Sequence, residues 1–239
     1  MRSQTSSKEL WPATLVKSQS TRMSRDNAQR LDLELKRRAS ILDAADTLRR
    51  ELGWSAVTID QVAQCAGLGR SAVYLHFRDK TDIYFALIER ALRLARRRLL
   101  RAARAPQQGL EKVLAMSRAF TGFAVEERHC FDACSEFMSL RSPGSQPSPN
   151  EEACLFVLSQ IHACFTIAIA QGYRDGSVNA ALGTPRVISI CLWALLQGGM
   201  QLTIARSATP DIVRASQLEW SEHMLGLLRH MLHGSSIVS

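Results

Sequence analysis

Apolar positions along this chain recur at three- and four-residue steps in one segment after another, and nowhere do they alternate for long enough to make a strand. From Arg37 onward Ile41, Ala44, Ala45, Leu48 and Leu52 form the first stripe, and Gly53 stops that helix. A short second helix carries Val62, Ala63 and Ala66 inward and ends at Gly67, whose missing Cβ permits the left-handed backbone of a tight turn. A third short helix fits Arg70 to His76. A fourth begins near Lys80 and runs to Pro106, with Ile83, Leu87, Ala91, Leu94, Ala95 and Leu99 as its buried stripe. Further helices are expected over Leu110 to about Arg128, Cys130 to Leu140, and Glu151 to about Gln171, the last ending at Gly172. Thr184-Pro185 and Pro210-Asp211 each place a cap and a first-turn proline ahead of another helix. The Pro- and Ser-rich stretch from Ser142 to Asn150 is the plainest break. The expected fold is all-α with about nine helices.

Residues 1–36 are polar, Ser-rich and basic without a sustained period, and read as a disordered arm. The expected organisation is that arm, a three-helix unit over 37–84, a helical body over 85–233 in which 85–105 is the connecting helix, and a tail over 234–239. Charge separates the same regions. Residues 1–105 hold 21 Lys/Arg against 11 Asp/Glu, a net of +10, while 106–239 hold 9 against 11, a net of −2. The first region is dressed for a phosphate-bearing partner and the second is not. The longest apolar runs fall short of the roughly 18 residues that span a bilayer, and residues 1–36 lack the apolar core of a secretory signal. A cytoplasmic protein with no membrane partner is therefore expected.

Three helices of which the second and third are short and joined around Gly67 make a helix-turn-helix, the unit that lays its third helix in a major groove. Thr58 and Gln61 have the spacing of a capping box at the start of the second helix. The Thr58 hydroxyl and the first-turn amides there could hold a DNA phosphate, or the residue could serve as a cap alone. Arg70, Ser71 and Ala72 open the third helix. Their short neighbours let the backbone approach DNA, and Arg70 could fork onto a guanine edge or pair with phosphate. The arginine stripe Arg90, Arg93, Arg97, Arg101 and Arg104 reads first as a solvated face. Arg22, Arg25 and Arg30 of the arm could instead enter a minor groove beside the site.

Residues 37 to about 84 resemble the DNA-binding domain of TetR-family transcriptional regulators. The resemblance rests on Ile41-Leu42, Ala44-Ala45, Leu48, Gly53, Thr58, Val62-Ala63, Ala66-Gly67-Leu68, Val73-Tyr74, Phe77, Lys80 and Ile83. It implies that Tyr74 binds phosphate, that Phe77 anchors the core, and that His76 and Lys80 meet the DNA backbone. Leu75 is polar in many relatives, and here could touch a thymine methyl or stay in solvent. Gly69 departs from the family's usual capping Ser or Thr. The resemblance also implies a homodimer bound to a roughly palindromic double-stranded operator, and a small-molecule effector that lowers DNA affinity, hence a repressor.

The expected dimer interface takes Trp193, Gly198, Gly199, Trp220, Met224, Leu228 and Met231 from the last two helices, because paired glycines inside a helix suit close approach of a partner's backbone. The expected effector pocket takes Met116, Phe120, Phe123, Phe137, His162, Phe165, Trp193 and Gln197, apolar walls with a few polar groups, although the same residues also describe an ordinary core. No resident cofactor or metal is expected. Cys130 and Cys134, four apart beside His129, invite a redox- or metal-responsive alternative, but the six cysteines lie in apolar stretches and read as buried thiols. No nucleophile and base spacing supports a helical-bundle enzyme, so no enzymatic activity is expected. A general DNA-coating role leaves the acidic body without a purpose.

Overall fold

A computed structural model describes residues 13–105, 108–140, 146–205 and 217–233, and the described residues are helical apart from turns and connections. The chain divides into two compact units, Met1–Phe77 and Arg78–Ser239. The division falls a few residues before the boundary expected from sequence, so the whole of the fourth helix belongs to the second unit.

The first unit contains α1 (Ala13–Leu52), a single 3-10 turn at Trp54–Ala56, α2 (Ile59–Cys65) and α3 (Arg70–Tyr74). Ile41, Ala45, Val57, Val62, Val73 and Phe77 are almost fully buried and form its core. The Arg38 guanidinium lies 4.6 Å from the centroid of the Phe77 ring. The helix α1 starts far earlier than expected: the stretch read as a disordered arm is helical from Ala13, giving 40 residues or about 60 Å of helix. Residues 27–37 are exposed, so no buried stripe announces the extension. Its residues are nevertheless good helix formers, and Lys36 lies 2.6 Å from Asp32 one turn away. A helix already nucleated by a packed segment needs only such local terms to continue. The first twelve residues and the tail over 234–239 lie outside the described residues.

The second unit holds α4 (Lys80–Ala102), α5 (Gly109–Glu126), α6 (Arg128–Leu140), α7 (Pro149–Asp175), a 3-10 turn at Ala180–Leu182, α8 (Pro185–Ala205) and α9 (Gln217–His233). The helices α4 and α7 pack on each other, α5 lies against both, α6 against α4, α8 against α7, and α9 against α5. Asp79 caps α4 by accepting from the Asp82 amide at 2.8 Å, and Ser148 caps α7 from the Glu151 amide at 3.1 Å with Pro149 in its first turn. Thr184 caps α8 as expected, accepting from Val187. The Pro210-Asp211 cap lies outside the described residues.

Two expectations about α7 are corrected. It does not end at Gly172 but continues to Asp175, where Gly176 takes φ +73°. Gly172 has a packing role instead: a Cβ there would strike Val178, and a Cβ on Gly109 would strike the backbone of Gly172, so this pair lets α5 and α7 cross closely. By length and composition α7 could also cross a membrane, contrary to the run-length reading. Its Cys154, Val157, Ile161, Phe165 and Ile169 are buried against the surrounding helices, while Phe156 and Ile167 on the same helix are exposed.

Candidate nucleic-acid interface and effector pocket

The candidate interface is built on local hydrogen bonding. The Thr58 hydroxyl accepts from the Gln61 amide at 3.2 Å and donates to Gln61 Oε1 at 2.9 Å, while the Thr58 amide donates to the same oxygen at 2.8 Å. Both sides of the capping box are made, and α2 is fixed at its start. At its end Gly67 takes φ +66°, and the Leu68 amide returns to the Ala63 carbonyl at 2.9 Å. Gly69 then opens α3 with no side-chain cap, as its departure from the family pattern implies.

Val73 and Phe77 pin α3 to the core, and the remaining positions face outward. Arg70, Ser71, Tyr74 and Leu75 are exposed, Leu75 at 83%, while Ala72 and His76 are half-buried. Arg70 is the centre of a small cluster. Its Nη1 lies 3.0 Å from Asp60 Oδ2 across on α2, its Nη2 donates to the Tyr74 hydroxyl at 3.3 Å, and its guanidinium carbon sits 5.7 Å from the Tyr74 ring centroid. The Tyr74 hydroxyl first and the Asp60 charge second hold the Arg70 pKa above its ordinary value. Sequence reasoning missed Asp60. The available signal was an acid in the first turn of α2, a position a helix N-terminus favours for dipole reasons alone.

Lys80, described with the second unit, is the first residue of α4 and half-buried. The arginines at 90, 93, 97, 101 and 104 are all exposed, as a solvated face requires. Arg30 stands in helical backbone, 3.9 Å from Glu34, so it does not belong to a flexible arm; the side chains of Arg22 and Arg25 lie outside the described residues.

Residues 41–87 match the family model of bacterial regulatory proteins of the tetR family. That segment therefore carries the family's regulatory-protein domain. Over 93 residues it is 37% identical to the HTH-type transcriptional repressor BepR of Brucella suis, a stretch covering 38% of this chain and 44% of that one. The chain thus spans less than half the length of that curated relative. The fold extends further than the sequence likeness. A regulator of the TetR/AcrR family from Thermobifida fusca superposes with a TM-score of 0.61 at 24% identity, covering 82% of this chain and 97% of the other. FadR from Bacillus subtilis, solved with stearoyl-CoA, gives a TM-score of 0.64 at 15% identity over 82% of this chain and 99% of its own.

In the second unit a cavity of about 460 Å³ opens between α7 and α8, lined by His162, Ala163, Thr166, Ile167, Ser189 and Ile190 among others. Of the residues expected to form a pocket, only His162 lines it. Met116, Phe120, Phe123, Phe137 and Phe165 are packed in the core instead. Phe120 lies 4.9 Å from Trp193 and 5.9 Å from Phe131, and Phe137 lies 5.8 Å from Phe85. Those rings fill one another's space, which is why an apolar wall read from sequence became a core. Gln197 is engaged as well, donating to Ser135 Oγ at 2.6 Å. Trp193 joins the two regions, with its ring 5.3 Å from His162. Burial lowers the His162 pKa, and its Nδ1 is buried without a hydrogen-bond partner among the described residues.

The interface residues are also redistributed. Gly199 meets the Trp220 ring of its own chain, where a Cβ would clash, so its partner is internal. Met224 and Leu228 are buried within the chain, and Trp193 is used by Phe120 and His162. Gly198 has open space before it and Met231 is 58% exposed. Around them lies an outer face of Val187, Ile190, Leu195 and Leu202 on α8 and Leu227 on α9, all exposed.

The thiols differ from expectation. Among the six, Cys154 alone is fully buried, donating to the Phe85 carbonyl at 3.0 Å, and burial pushes its pKa up to about 12. Cys65 and Cys191 are exposed, and Cys130 and Cys134 half-buried. No cluster of three or more metal-ligating side chains occurs among the described residues.

Proposed function

We propose that this chain is a homodimeric, sequence-specific DNA-binding repressor whose operator affinity falls when a small, largely apolar effector occupies its body. The observation that carries the reading is α3 itself. A five-residue helix pinned by Val73 and Phe77 turns Arg70, Ser71, Tyr74 and Leu75 to solvent beside a capped α2, within the residues that match the family model. That is the geometry for a major-groove reader: the arginine forks onto a guanine edge, while tyrosine and helix-end amides meet phosphates. The basic first half supplies steering and non-specific affinity.

The exposed apolar faces of α8 and α9 support the dimer, since a twofold contact would bury both at once and place two reading heads on a roughly palindromic site. The cavity beside His162 supports the effector: Ala163, Ile167 and Ile190 give it an apolar wall, and Ser159, His162, Thr166, Arg186 and Ser189 supply polar groups to orient a ligand. FadR from Bacillus subtilis was solved with stearoyl-CoA, a ligand with a long apolar part. The cytoplasm is the compartment where such a protein works.

Selection of bound duplexes from a randomised DNA pool, repeated with a panel of metabolites, tests the whole reading. A recovered twofold motif with a specificity ratio of about 10³ or more over random DNA is expected, together with at least one compound that lowers recovery. A ratio near unity would remove the regulator assignment.

A further inference from the structure

We propose that Asp60 is a positioning residue for base reading: its carboxylate, reaching across from α2, fixes the Arg70 guanidinium on the outward face of α3. The inference rests on the DNA-reading function proposed above and concerns a residue outside the expected contact set. An exposed arginine ordinarily samples many rotamers, and ordering it costs rotamer entropy. Here two partners on different helices hold it before DNA arrives. Asp60 Oδ2 takes Nη1 at 3.0 Å and the Tyr74 hydroxyl takes Nη2 at 3.3 Å, with the tyrosine ring beneath the guanidinium. A guanidinium carries five N–H donors, so these two bonds leave a pair of donors for the O6 and N7 acceptors of guanine.

The arrangement has a direction. A carboxylate close to DNA repels phosphate, so Asp60 lowers affinity for every sequence alike. What it adds is geometry at one base pair in each half-site. Asp60 in the first turn of α2 also complements the helix dipole, and a purely structural role of that kind would leave base preference unchanged.

The test compares the full-length wild type with Asp60→Asn, Asp60→Glu, Arg70→Ala and the Asp60→Asn/Arg70→Ala double variant, each in selection from a random duplex pool and in salt titrations on random DNA. Arg70→Ala is expected to flatten one position per half-site. Asp60→Asn should weaken preference at that same position by about tenfold, toward the low end of what one bidentate pair discriminates, while binding random DNA at least as tightly as wild type. Asp60→Glu should recover part of the preference, and the double variant should match Arg70→Ala. Unchanged preference in Asp60→Asn overturns the inference, as does an Arg70→Ala that weakens all sequences equally. A wild type that selects no motif is a different result, since it removes the DNA-reading function and this inference with it.

Discussion

The side-chain amide of Asn150, in the first turn of α7, donates to the Asp82 carboxylate in the first turn of α4 at 2.9 Å. Asp82 is only 4% exposed, and its other oxygen accepts from the Arg78 amide at 3.1 Å. One carboxylate therefore ties the entry to the body, the start of α4 and the start of α7. Replacing Asn150 with alanine leaves part of a buried charge unsatisfied and should cost about 1–3 kcal/mol, measured by urea unfolding. A loss within a few tenths would mean that water replaces the amide.

The Thr58 cap makes a second prediction. Thr58→Ala removes the acceptor for the Gln61 amide and should destabilise α2 by about 1 kcal/mol. Operator binding should weaken more than thermal stability of the body, because the main packing partners of α2 are α1 and α3 of its own unit. Separate calorimetric transitions for the two units would display the difference.

Adjacent glycines on α8 should respond in opposite ways. Gly199→Ala drives a methyl into the Trp220 ring and should destabilise the chain by about 1–3 kcal/mol. Gly198→Ala meets nothing in its own chain and should add up to about 1 kcal/mol of helix propensity. If the outer face of α8 is the dimer contact, the same change should raise the dimer dissociation constant. Sedimentation of both variants beside Leu202→Glu decides this, since a charge on that exposed leucine should split the dimer outright.

Burial lowers the His162 pKa from its ordinary value near 6.5. Below that value the unfolded chain binds the proton more readily than the folded one, so stability should fall as pH drops through 6.5 and level off once the folded histidine is also protonated. His162→Gln should remove this part of the pH dependence. A melting temperature with the same acid slope in both proteins would place its origin elsewhere.

Features set by neighbours in the chain were legible beforehand. Thr58 reaches Gln61 three residues on, Gly67 makes its turn alone, and the 3.6-residue stripe of α4 needs only its own sequence. Features set by distant partners were not. Gly172 reads as a helix stop until Gly109 and Val178 are seen against it. Phe120 reads as a pocket wall until Trp193 and Phe131 fill the space. Gly199 suggests a partner chain until Trp220 arrives from α9. The extension of α1 was missed for another reason, because an exposed helix held by propensity and ion pairs leaves no periodic trace. Asp60 and Arg70 were each in plain view, but their pairing depends on how α2 and α3 cross.

The uneven exposure of the cysteines gives the protein its own set of spectroscopic handles. Cys65 closes α2 beside the reading head and Cys191 lies on the outer side of α8, both open to solvent, whereas Cys154 is sealed against the Phe85 carbonyl. A thiol-reactive dye should therefore mark Cys65 and Cys191 ahead of the half-buried Cys130, Cys134 and Cys164, without any engineered site, and reach Cys154 only when the body opens. In the proposed dimer, probes on the two Cys65 residues would turn the separation of its DNA-binding units into a ruler, read before and after a candidate effector is added.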